Sequence, residues 1–190
     1  MTGRRIVVGV TGASGSIYAR LLVECLLRSG AVSEVAVVFS TNGLAVAEYE
    51  KQNIPSGGDD PRVRYFDNDD LFAAPASGSA AYDSMVIVPC SMGTLGRIAN
   101  CVSDNLITRA ADVMLKERRR LILVARETPY GTIHLRNMTA LSECGAVVLP
   151  ASPSFYSHPA DVEQLCMTVV ERILALLGID VERYEWNGGR

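Results

Sequence analysis

The sequence predicts an α/β fold, a single domain with one parallel sheet covered by helices on both faces. Three observations carry that prediction. Continuous apolar runs recur, as at Arg5–Val10, Ser84–Val88 and Leu121–Ala125, and read as strands buried on both sides. Amphipathic segments of helical period alternate with them. Each run ends in small or hydroxyl-bearing residues, which suit strand-to-helix turns. The length of 190 residues fits one domain over 1–180, with a polar tail at 181–190 that carries Tyr184 and Trp186.

Arg5–Val10 is the first strand, and Thr11-Gly12-Ala13-Ser14-Gly15-Ser16 turns it into a helix over about 16–29. Leu21, Leu22, Cys25 and Leu26 form the apolar face of that helix, and Gly30 ends it. Val35–Phe39 is a second strand, followed by a helix over about 43–51. The run Pro55-Ser56-Gly57-Gly58-Asp59-Asp60-Pro61 is an exposed loop, and Arg62–Phe66 a short strand. Residues 71–81 form a loop of small residues. Ser84–Val88 is a buried strand that runs into Pro89-Cys90-Ser91-Met92-Gly93-Thr94. Helices over about 95–100 and 104–117, a strand at Leu121–Ala125, a helix at 133–143 and a strand at 146–149 follow. A helix over about 159–177 closes the domain and buries Val162, Leu165, Val169, Ile173 and Leu176.

Composition excludes several classes. A net charge of −3 argues against a general nucleic-acid binder, so any anion site is a local cluster. No apolar run approaches the roughly 20 residues of a membrane span, and the short apolar run at the N-terminus reads as a strand. These readings give a cytoplasmic protein. The five cysteines form no Cys-x-x-Cys pair and read as reduced thiols. The slightly positive mean hydropathy points to apolar surface covered by other subunits.

Ligands of such a sheet sit outside the carboxyl ends of its strands. Thr11–Ser16, Ser40-Thr41, Cys90–Thr94 and Arg126-Glu127 all follow strands and converge on that edge. The first turn suits an anion, because its small residues bring bare N–H groups and a helix N-terminus together. The second strand ends in Ser40-Thr41-Asn42 rather than in an acidic residue, which suits a phosphate or a flavin better than an NAD ribose. Arg109 and Lys116 lie seven apart on one helix face. They fit a phosphate, or a solvated face with Asp112 paired to Lys116. Arg172 falls beside the apolar stripe of the last helix and needs an anion, a buried carboxylate or a snorkelling route. Phe155 and Tyr156 bring an aromatic ring and a phenol to the same edge, or simply pack a loop. Trp186 is placed to cover an apolar pocket. Glu50 and Glu127 are carboxylate candidates, each equally a surface residue by type. His134 and His158 lack the spacing of a metal pair.

Long ordered segments resemble the UbiX/Pad1 flavin prenyltransferases. They are Pro75–Ser79, Val88–Leu95, Ser103–Val113, Leu115–Arg119, Arg126–Pro129, Ile133–Leu135 with Asn137-Met138, the Thr-Gly-Ala-Ser-Gly turn, Phe155-Tyr156 and Arg172–Leu174. They cover nearly the whole chain. The resemblance implies a Rossmann-like or flavodoxin-like flavoprotein, homo-oligomeric and often dodecameric. It implies an enzyme that joins dimethylallyl from dimethylallyl monophosphate to reduced FMN, at N5 and then C6, without a metal. The product, prenylated FMN, serves a partner decarboxylase of the UbiD type. Matched residue by residue, Gly12, Ala13, Ser14, Ser40, Ser91, Met92, Gly93, Thr94 and Arg126 would bind FMN. Arg109, Lys116, Tyr156 and Arg172 would hold the prenyl phosphate. Glu50 matches a family carboxylate near the flavin, and Glu127 and Ser14 are candidates for proton movement.

Two positions depart from the family pattern. Cys101 stands where glycine is usual, and Thr41-Asn42-Gly43 replaces a more usual Lys-Ala-Ala, removing a charge near the flavin edge. An FMN-dependent cysteine-type decarboxylase is the rival reading. It expects an early catalytic histidine and a Pro-x-Met-Asn-x-x-Met-Trp-like segment, whereas the first histidine here is His134 and the one tryptophan is Trp186. A non-catalytic flavin carrier subunit is a third reading, and it needs no second phosphate site.

Overall fold

The structure, a computed structural model, describes residues 3–180. Tyr184 and Trp186 lie outside them. The strands are β1 (Arg4–Val10), β2 (Val32–Phe39), β3 (Val63–Phe66), β4 (Ser84–Cys90), β5 (Arg120–Ala125) and β6 (Val147–Pro150). They form one parallel sheet in the order β3-β2-β1-β4-β5-β6, the doubly wound order of a Rossmann-type fold. Side chains alternate along each strand, so the sheet builds two cores. Ile6, Val8, Val35, Val37, Val86 and Ile122 face α1 (Ser16–Arg28) and α6 (Val162–Leu177). Val7, Ala36, Met85, Ile87, Leu121 and Leu123 face α3 (Met92–Ala99), α4 (Leu106–Lys116) and Leu141 of α5 (Thr132–Glu143). Each fully buried Val, Ile or Leu contributes roughly 1.5–3 kcal/mol, which is why the central strands are apolar on both faces.

The predicted elements are all present, and caps explain where their ends move. Ser40 accepts the Gly43 N–H at 3.0 Å, so α2 (Thr41–Tyr49) starts before Gly43. Ser91 accepts the Thr94 N–H at 3.3 Å and starts α3 at Met92 rather than Leu95. Asn105 accepts the Thr108 N–H at 3.0 Å, so α4 begins at Leu106. Asp161 accepts the Gln164 N–H at 2.8 Å and delays α6 to Val162. The apolar stripe of α6 is rotated from the expected one. Cys166, Val169, Val170, Ile173, Leu174 and Leu177 are buried, whereas Val162 is exposed and Leu165 and Leu176 are half-buried. The rotation follows from packing, because α6 meets α1 as well as the sheet edge.

The loop at 71–81 folds into two short 3₁₀ turns, Ala74–Ala76 and Gly78–Ala80. Arginines hold its carbonyls: Arg109 donates to Ala76 O at 3.2 Å, Arg119 to Gly78 O at 2.8 Å, and Arg5 to Ala80 O. Cys101 has φ 55°, a left-handed conformation that explains why glycine suits this position.

Candidate active site

The sheet order reverses between β1 and β4, so their following helices leave toward opposite faces and open a crevice. Thr11 bridges it: its hydroxyl donates to Pro89 O at 2.7 Å and accepts the Ser91 N–H at 2.8 Å. Next to this bridge lies a cleft of about 320 Å³. Gly12, Ser40, Ser91, Gly93 and Thr94, all expected at the flavin, line it. Thr41, Asn42, Asn68, Arg97, Asn105 and Ile107 complete the wall. The N-termini of α2, α3 and α4 all end on this cleft, which gives it a positive potential. Among the described residues, no carboxylate lines it. Hydroxyls and helix N-termini are the donor set that a phosphate takes, so these residues fit the phosphate-bearing end of a flavin mononucleotide.

The other expected flavin residues surround the cleft in different ways. Ala13 and Met92 are buried. Arg126 is exposed just beyond β5, close enough to act on the Tyr18 phenol electrostatically. Burial and the neighbouring Cys166 push that phenol up to about 12, against the pull of Arg126, so it stays protonated. Cys90, at the end of β4, is fully buried, and burial pushes its thiol up to about 12, which makes it structural rather than nucleophilic.

The first turn holds an anion of its own. Glu50, the residue after α2, accepts the Gly15 N–H at 3.0 Å and the Ser16 N–H at 2.8 Å. The Ser14 side chain also favours the charged form of this carboxylate. Burial pushes Glu50 up, but these hydrogen bonds outweigh it and hold the carboxyl below its ordinary value. The α1 N-terminus is therefore neutralised from within the chain, and the phosphate-like cleft lies beside it. Glu127 is half-buried and accepts its neighbour Thr128 N–H at 3.0 Å. His134 accepts the Gly131 N–H at 3.1 Å at the start of α5. Among the described residues, no group of three or more His, Cys, Asp or Glu is placed to hold a metal.

The four expected prenyl-phosphate residues are divided between α4 and the α6 region. Arg109 pairs with Asp112 at 2.8 Å and Lys116 with Glu117 at 3.0 Å, on α4. Arg172 is exposed on α6, and Tyr156 is exposed on the segment that precedes it. The two helices cover opposite faces of the sheet. Lys116 also lies ten residues, about 15 Å, along α4 from its cleft end. Asn68, Arg97 and Asn105 are cleft residues that the sequence reading missed. Asn105 carried a signal, since it precedes an amphipathic run as an N-cap does.

The family model described as Flavoprotein matches residues 1–177. A relative from Methanocaldococcus jannaschii named flavin prenyltransferase UbiX is 44% identical over 176 residues, covering 93% of this chain and 94% of its own. The solved structure of AnUbiX (PadA1) in complex with FMN and dimethylallyl pyrophosphate matches with a TM-score of 0.89 and 41% identity, covering 97% of this chain and 98% of its own. The dodecameric FMN-dependent UbiX-like decarboxylase from Escherichia coli O157:H7 matches with a TM-score of 0.88 and 37% identity, covering 96% and 99%. No helix among the described residues is long and apolar enough to cross a membrane. With nearly its whole length matched at this level, the chain belongs to the UbiX/Pad1 family of flavin prenyltransferases.

Proposed function

We propose that this enzyme transfers dimethylallyl from dimethylallyl monophosphate to reduced FMN, bonding at N5 and then C6. The prenylated FMN then passes to a decarboxylase of the UbiD type. The observation that carries the reading is the convergence of Gly12, Ser40, Ser91, Gly93 and Thr94, five of the nine residues expected at the flavin, on one cleft. Bound there, reduced FMN supplies a nucleophilic nitrogen and a flat π-face. The chain supplies position and charge. Ser40, Ser91 and Thr94 hydroxyls hold the phosphate end. Arg126 stands at the carboxyl edge of β5, where the ring system would lie.

The prenyl donor leaves an anion behind. Arg109, Lys116, Tyr156 and Arg172 stabilise it with fixed donors in a water-poor site, and their three cations carry the positive charge that the departing phosphate needs. Because α4 and α6 lie on opposite sheet faces, these residues act together across an interface between copies of the chain. Closure at C6 releases a proton. Ser14 acts on the Glu50 carboxylate, which gives a proton accepted by Ser14 a carboxylate to pass to. Glu127, next to Arg126, is the alternative acceptor.

The test is Lys116→Ala. Product formation from dimethylallyl monophosphate should fall on the order of 100-fold, the usual effect of removing one charge-stabilising donor. FMN binding should be unchanged. Unchanged turnover would take Lys116 out of the site.

A further inference from the structure

We propose that Arg97 clamps the phosphate of the flavin mononucleotide and sets the preference of this enzyme for FMN over riboflavin. The inference rests on the reading of the cleft as the flavin phosphate site. Among the described residues lining that cleft, Arg97 is the one with a charged side chain. It lies four residues after Gly93 on α3, and helical side chains lean toward the N-terminus of their own helix. Its guanidinium does so here: Nη1 lies 4.0 Å from where a Cβ on Gly93 would stand. A cation is thus folded back over the first turn of α3.

Arg97 belongs to the last turn of α3, where the dipole favours a cation, but its guanidinium reaches back to the first turn, where it does not. The first turn of a helix carries partial positive charge, which repels a guanidinium. Asp104 offers only a loose answer, with Arg97 Nε 3.5 Å from its carboxylate. Both side chains are about half exposed, at 51% and 54%, so solvent screens the pair. A phosphate monoester carries close to two negative charges near neutral pH and presents oxygens to which a guanidinium bonds in bidentate fashion. It would settle between Arg97, the Ser91 and Thr94 hydroxyls and the three helix N-termini.

The experiment is equilibrium binding of FMN and of riboflavin to the purified full-length protein and to its Arg97→Gln and Arg97→Lys variants. The wild type should prefer FMN. Arg97→Gln should weaken FMN about ten-fold or more, as expected for loss of a charge-assisted contact, and leave riboflavin unchanged. Arg97→Lys should fall between. Because Arg97 is half-exposed, melting temperatures should match and show that both variants fold. Equal loss of both ligands, or no loss of FMN, would overturn the role of Arg97 while leaving the cleft assignment intact. If the wild type itself binds riboflavin as tightly as FMN, the cleft does not hold the phosphate, and both the proposal and the reading beneath it fail.

Discussion

Glu50 shows how one side chain can take over a site that a sequence motif suggests. The glycine-rich turn after β1 has the composition of an anion cradle, and an anion does sit on its N–H groups, but it is the carboxylate of Glu50. Its folded-state pKa is depressed, so its stabilisation is present above the unfolded carboxylate pKa of about 4.3. It is lost as pH falls through the lower folded value. Glu50→Gln should therefore lower stability at pH 7 by about 1 kcal/mol, the size of a partly solvated cap interaction. That difference should shrink below about pH 4, read as melting temperature against pH. A constant difference across that range would mean that Glu50 acts by packing alone. Ser40 and Ser91 were legible in the sequence, since a hydroxyl directly after an apolar run marks a strand-to-helix turn. Arg97 and Asn68 were not. An arginine on a short helix looks solvated until the fold brings its cleft into being. Asn68 earns its role from a helix far along the chain, where it accepts the Ile107 N–H at 3.1 Å.

At the scale of elements, the cleft depends on how closely α2 approaches β1. A Cβ on Gly43 would lie 2.2 Å from Val10 O, a backbone atom that cannot swing aside. The α2 N-terminus is seated against the end of β1, and Ser40, Thr41 and Asn42 are carried into the cleft with it. Gly43→Ala should push α2 outward at a cost of about 1–3 kcal/mol, typical of overpacking, and weaken FMN binding. A variant with wild-type melting temperature and flavin affinity would show that α2 has room to spare. The strands were legible because burial on both faces leaves unbroken apolar runs. Helix starts were displaced by two or three residues where caps such as Ser40, Ser91 and Asp161 decide them. The α6 stripe was misread because periodicity reports that a helix has an apolar face, whereas its neighbours decide which side chains that face includes. Here α1 provides much of the contact, and Arg20 of α1 pairs with Glu163 of α6 at 2.6 Å.

For the whole molecule, the sheet lies between α4 and α6, and the prenyl-phosphate site, which draws on both, is proposed to be shared between copies of the chain. Exposed Phe72, Tyr49, Phe155 and Ile133 supply apolar surface for such contacts. Mixed oligomers of Lys116→Ala and Arg172→Ala should regain about a quarter of wild-type activity, the chance that both residues at one interface are intact. Recovery of none would place both residues of each site in one chain. Association between copies was legible in the sequence from its apolar balance and its family resemblance, but the pairing of α4 with α6 was not, because spacing along a helix says nothing about which copy of the chain faces it. The most direct measurement is anaerobic incubation of the protein with reduced FMN and dimethylallyl monophosphate, followed by mass spectrometry of the released flavin. A flavin heavier by one dimethylallyl unit, formed only when protein is present, is the predicted result. Tightly bound FMN of unchanged mass would contradict the prenyl-transfer assignment and favour a flavin carrier.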